Sequence, residues 1–190
     1  MTTPTTTQLD LTGDYVIDPA HSRLGFVARH AMVTKVRGQF TRFEGSAHLD
    51  AQDPTRSRAH VEIEASSIDT GNPQRDEHLR SNDFFDMAKY PTITFDSTAV
   101  EVVDDEHYRM TGDLTIKGHT RPVVVDLTFT GAAIDPFGNL RVGFEGRATL
   151  NRKDWGVTWN APLEAGGVLV SDKVNLEIDV SAIKTPATQG

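Results

Sequence analysis

The chain is expected to be all-β, an antiparallel barrel with one short inserted helix, and three observations predict this. Apolar and polar residues alternate with period two along most of its length, turn residues separate the runs, and several runs are long for a small sandwich. Closing such strands into a barrel also removes exposed edges.

The alternation can be followed strand by strand. Leu24, Phe26 and Ala28 share one side, with Arg23 and Arg29 on the other. Ala59, Val61 and Ile63 oppose His60, Glu62 and Glu64. Val123, Val125, Leu127 and Phe129 oppose Val124, Asp126 and Thr128. Leu140, Val142, Phe144, Ala148 and Leu150 oppose Arg141, Glu145, Arg147 and Thr149, while Val174, Leu176, Ile178 and Val180 oppose Asn175, Glu177, Asp179 and Ser181. Each run has one wet and one dry face. Asp135-Pro136-Phe137-Gly138-Asn139 and Lys117-Gly118-His119 read as hairpin connections, and Asp104-Asp105-Glu106 as a polar tip. One segment differs: Asn72-Pro73 sets an N-cap before a first-turn proline, and residues 75–86 then read as a helix. Phe84, Phe85 and Met87 supply its apolar contact, and Tyr90-Pro91 ends it before a strand over 92–97. A helix there is placed to lie across a barrel mouth.

With 190 residues the chain suits one domain, drawn here as residues 13–183 between flexible tails at 1–12 and 184–190. A net charge of −8 argues against a nucleic-acid binder and disfavours docking on an anionic membrane by electrostatics alone. The absence of cysteine removes disulfides, thiolate metal sites and thiol nucleophiles. No stretch approaches the ~18 apolar residues of a membrane span, and the opening residues lack an export leader, so a cytoplasmic protein is expected.

No catalytic apparatus, metal site or cofactor is expected. Asp76, Glu77 and His78 are adjacent, so on a helix they point apart; His21 and His30 differ by nine positions and would face opposite sides of a strand. No HExxH, GxSxG or phosphate-cradling glycine loop occurs. His30 falls on the same side as Leu24 and Phe26, as a hydrogen-bonded core histidine or a ligand contact. Arg75, Asp76, His78 and Arg80 are the other polar groups of interest; the bland reading of Arg75, Asp76 and Arg80 is an ion-pair set anchoring residues 66–72. Trp155 and Trp159 flank a glycine-containing loop, placed to plug a barrel end or line an entrance.

Several segments together resemble the YceI-like, polyisoprenoid-binding family: YVIDPAHSRLGFVARH (15–30), VRGQFTRFEG (36–45), SIDTGNPQRDEHLRSNDFFD (67–86), YPTITFDS (90–97), GDLTIKGHTRPV (112–123), LNRKDWGV (150–157) and VSDKVNLEIDV (170–180). The resemblance implies a lipocalin-like barrel of eight antiparallel strands with a hydrophobic lumen. It implies a non-catalytic carrier of a long-chain isoprenoid, a polyprenyl phosphate or an isoprenoid quinone. It also allows a homodimer formed by strand pairing. Many similar proteins carry an export leader or a fused membrane cytochrome, and this sequence shows neither. The expected ligand contacts are Phe26, His30, Phe40, Ile63, Phe84, Phe85, Phe95, Leu114, Leu127, Phe129, Phe144, Trp155 and Trp159. Two other readings stand beside the carrier: a lipid-modifying enzyme of isomerase or cyclase type, with His30 and a carboxylate neighbour the first place to look, and an interaction module whose barrel is solid.

Overall fold

The structure, a computed structural model, describes residues 9–163 and 167–186; most of both expected tails lies outside them. Among these residues eleven strand segments form one antiparallel sheet: β1 (Gly13–Ile17), β2 (Arg23–His30), β3 (Thr34–Phe40), β4 (Phe43–Leu49), β5 (Arg58–Glu64), β6 (Ile68–Asp69), β7 (Thr92–Val102), β8 (His107–Ile116), β9 (His119–Ile134), β10 (Leu140–Asn151) and β11 (Lys173–Lys184). The sheet closes on itself where β1 pairs with β11.

Eleven segments make eight staves because three staves are kinked. β1 and β2 both run along β11, with Ile17 facing Ala182 and Arg23 facing Asp179, and a 3-10 turn over Pro19–His21 interrupts them. Pro19 and the Asp18 side chain, which accepts from the Ala20 N–H, set that turn. On their other side β1 and β2 meet β4 and β3, one stave kinked at Thr41-Arg42. β5 and β6 form the third, broken by a 3-10 turn over Ala65–Ser67. With the unbroken β7 to β11 the result is the expected eight-stranded antiparallel barrel. β9, at 16 residues, spans roughly 50 Å of chain at about 3.3 Å per residue.

The inward phase follows the alternation. Charged residues such as Glu62, Arg109, Asp126, Arg147 and Asp179 are exposed on the outside, the inverse of a barrel that faces lipid with an apolar outer band. No helix among the described residues is long and apolar enough to cross a membrane.

α1 (Pro73–Arg80) connects β6 to β7 across one barrel end, the lid end. Asn72 caps it, accepting from the Arg75 N–H. It stops at Arg80 rather than reaching Asp86. Ser81 leaves helical backbone and donates its hydroxyl to the His78 carbonyl, and Asp86 adopts a left-handed φ of 48°. Polar Ser81-Asn82-Asp83 favours such local bonding over helix continuation. Leu11 and Thr12, expected in the tail, belong to the folded body. The Leu11 carbonyl accepts the buried Tyr15 hydroxyl at 2.7 Å, and the Thr12 hydroxyl accepts from the Ala51 N–H. Likewise Lys184, the first residue of the expected C-terminal tail, completes β11.

At the far end Arg141 joins two turns, its guanidinium donating to Asp135 and to Asp18, each at 2.7 Å. These bonds hold Asp135 down to about 2 and Asp18 below the ordinary aspartate range, His21 assisting at Asp18. Both folded values lie below the unfolded ones, so the stabilisation is full above the ordinary aspartate value of 3.8 and is lost as pH falls through the folded values. Arg141→Met should therefore melt below the parent at neutral pH, the gap closing as acid protonates the two carboxylates. A gap that stayed constant down to pH about 2 would assign the loss to packing instead.

Candidate functional site

A cavity of about 450 Å³ runs the length of the barrel, within the usual range of about 300–1,000 Å³ for ligand sites. Its wall is nearly all apolar and comes from every stave; among the described residues its charged side chains are Asp50 and Arg58 at the far end and Arg152 at the lid end. Phe26, Phe40, Phe85, Phe95, Phe129 and Phe144 point inward yet are only partly buried, because their rings face open lumen rather than packed neighbours. Fully packed side chains concentrate instead in a lid-end cluster around Ile68, Ile93, Leu150 and Trp155, and a far-end cluster of Tyr15, Val142 and Ala182.

Glycine positions set the lumen's width. A Cβ at Gly38 would strike the Phe26 ring and one at Gly112 the Phe95 ring. Both rings therefore lie back against the bare backbone of the neighbouring strand, leaving the centre clear. Phe26, Phe40 and Phe85 continue as an aromatic chain, with ring centroids 5.8 and 6.3 Å apart. Phe129 and Phe144 form a second pair at 5.4 Å.

The lid is held by side-chain bonds to backbone. Asp76 accepts from the Thr70 N–H and hydroxyl at 2.9 and 2.6 Å; Arg75 donates to the Thr70 hydroxyl and carbonyl, and Arg80 to the Ser66 and Ile68 carbonyls. This is the anchoring role for residues 66–72, although through Thr70 and carbonyls rather than ion pairs. His78 pairs with Asp83 at 2.8 Å and lies edge-on between Phe84 and Trp159. Arg152, 8% exposed, donates to the carbonyls of Ser171, Val157, Trp159 and Val170 and so shapes the long β10–β11 connection. Burial pushes its pKa down, with Asp172 opposing. Trp155 donates its indole N–H to the Leu114 carbonyl and is 3% exposed, a plug built into the wall.

Of the expected contacts, Phe26, Phe40, Ile63, Phe84, Phe85, Phe95, Leu114, Leu127, Phe129, Phe144 and Trp155 lie on the cavity wall. Two do not. His30 has the inward parity but is the last residue of β2, past the rim and exposed, and its backbone bridges to Val170. Trp159 backs Phe84 from outside the lumen, with ring centroids 5.3 Å apart. The sequence reading missed Leu11, Tyr15, Val100, Tyr108, Met110 and Arg152. Tyr108 and Met110 keep period with Leu114 and were within reach of the alternation; Val100 follows a bulge at Thr98 that resets the phase of β7.

Comparison with known proteins agrees with this geometry. A "UPF0312 protein" of Pseudomonas savastanoi is 39% identical over 154 residues, 80% of each chain. The Campylobacter jejuni YCEI protein superposes with a TM-score of 0.73 at 31% identity, covering 83% of this chain and 90% of that one. A polyisoprenoid binding domain from Saccharophagus degradans shares the fold with a TM-score of 0.68 at 15% identity, covering 90% and 98%. The YceI-like domain model matches residues 15–182, and the chain belongs to that family.

Proposed function

We propose that the protein binds a long-chain isoprenoid lipid in its lumen, as carrier rather than catalyst. The observation that carries this reading is the full-length apolar cavity with its inward phenylalanine rings left partly uncovered. The Saccharophagus degradans domain, named for polyisoprenoid binding, has the same fold and supports the choice of lipid class. A slim apolar chain suits a long narrow lumen, and each methylene buried contributes about 0.8 kcal/mol, so the tail supplies most of the affinity. Head-group hydrogen bonds, at about 1 kcal/mol each, select among cargoes. A solid interaction module is disfavoured by the open lumen, and bond chemistry by a wall on which His30 does not lie.

Organic extraction of the purified protein with mass spectrometry tests the reading. The expected result is one isoprenoid near one molecule per chain. Protein that is empty as isolated, and that takes up neither added polyprenol nor added quinone, would overturn it.

A further inference from the structure

The β2–β3 hairpin presents apolar side chains to solvent. Met32 and Val33 are 61% and 75% exposed, and Val168, on the adjoining flap of the β10–β11 connection, is 40% exposed. The hairpin turn and residues 167–169 form one surface. A bridge pairs Pro162 with Val168, the Ala31 N–H donates to the Leu169 carbonyl, and the Met32 sulfur lies against Gly167. Ala31 and Met32 hold φ of 49° and 66°, a left-handed pair that non-glycine residues seldom adopt. Strain retained in an exposed turn points to a role for what the turn displays.

Basic residues border this surface. Lys35 faces Arg29 across β2 and β3. Lys173 sits on β11 between Asn175, which faces Val27, and Ser171, whose N–H donates to the Arg29 carbonyl. All three cations are exposed, and none forms an ion pair among the described residues. The far end offers the opposite combination. Phe137 is 87% exposed at the β9–β10 tip, but Arg141 beside it is engaged by Asp18 and Asp135. Asp50, Asp53, Asp104, Asp105 and Glu106 occupy the other loops there.

We infer that Met32, Val33 and Val168, with Arg29, Lys35 and Lys173, dock the barrel on an anionic lipid bilayer. The net charge of −8 opposes docking by electrostatics alone. Local cations beside insertable apolar side chains reverse that at this corner. The site also abuts the cargo space. The β2–β11 ladder stops at Val27–Asn175 and resumes at His30–Val170 with extra residues on the β11 side, and Ala28, Val170 and Val174 at this seam line the cavity. The inference rests on the lipid-binding reading for its purpose, while vesicle binding is measured independently of cargo.

The test is co-sedimentation with phosphatidylcholine vesicles, with and without phosphatidylglycerol, alongside loading of a polyprenol from cyclodextrin. The parent should sediment with the anionic vesicles and be released by salt. Lys35→Glu with Lys173→Glu should weaken partitioning by at least about tenfold, since each surface cation contributes roughly fivefold. Met32→Asp with Val33→Asp should abolish it. Both double variants should load polyprenol from cyclodextrin like the parent, and Phe137→Asp should sediment like the parent. A parent that loads polyprenol but sediments with neither vesicle overturns docking and leaves the lumen reading standing. A parent that sediments as expected but never loads leaves docking standing and overturns the lumen reading. Unchanged sedimentation of both double variants, or its loss on Phe137→Asp, overturns the assignment to this corner.

Discussion

Phe95→Asp should leave the protein without extractable lipid and destabilise it by more than about 3 kcal/mol, the lower end of the range for losing a buried aromatic side chain. Phe95 points inward from β7 between Val61 on β5 and Leu114 on β8, its ring lying over Gly112. A carboxylate there meets apolar wall in every direction. It must either take up a proton or draw water into the lumen, and both outcomes work against hydrocarbon cargo. Glu177→Ala is the matched control. Its side chain is outside the barrel, 42% exposed, pairing with Arg37 at 3.4 Å and Arg23 at 4.0 Å. Removing so exposed a pair should change stability by less than about 1 kcal/mol and leave lipid retention intact. Phe95→Leu separates shape from polarity and should keep most of the cargo. Lipid at parent stoichiometry in Phe95→Asp would place the cargo outside the lumen.

The barrel's inward faces were legible because half-buried strands impose period two and this chain keeps it. Ala59 to Ile63, Val123 to Phe129 and Val174 to Val180 lie on the cavity wall in the phase their alternation gives. What alternation does not encode is where a stave bends. The breaks at Pro19–His21 and at Thr41-Arg42 leave the pairing partners in sequence on either side, so nothing in hydropathy marks them. The bulge at Thr98 is a pairing event between two strands and shifts Val100 inward against the simple count. Parity also says nothing about where the lumen ends, which is why His30 keeps the phase of Phe26 and still stands in solvent. The lid was harder again. Trp159 meets Phe84 through the connection between β10 and β11, which Arg152 holds at the Trp159 carbonyl and which has no hydropathy signature of its own.

Arg152→Met should therefore rank with Phe95→Asp in effect although it removes no part of the barrel. Four carbonyls, those of Val157, Trp159, Val170 and Ser171, accept from one guanidinium, and a methionine of similar length satisfies none of them. Hydrogen bonds to a charged group contribute about 1.5–3 kcal/mol each, and losing the guanidinium strands the Val157, Trp159 and Ser171 carbonyls, while that of Val170 keeps its bond from the Asn160 amide. A loss of about 3 kcal/mol follows, after allowance for carbonyls that regain water. The released connection should become the first site of limited proteolysis, and cargo retention should fall because Val157 and Val170 belong to the cavity wall. Arg152→Lys should recover little, since a single ammonium cannot reproduce a planar fork aimed at four acceptors. Asp172 discriminates between two explanations. Its Oδ1 stands 3.8 Å from the Arg152 guanidinium with no hydrogen-bond partner among the described residues, and its side chain is 43% exposed. If carbonyl bonding is the anchor, Asp172→Asn should cost less than about 1 kcal/mol and leave the proteolysis pattern unchanged. Equal damage from Asp172→Asn and Arg152→Met would make the ion pair the anchor. The guanidinium's carbonyl bonds would then follow from the connection's shape rather than cause it.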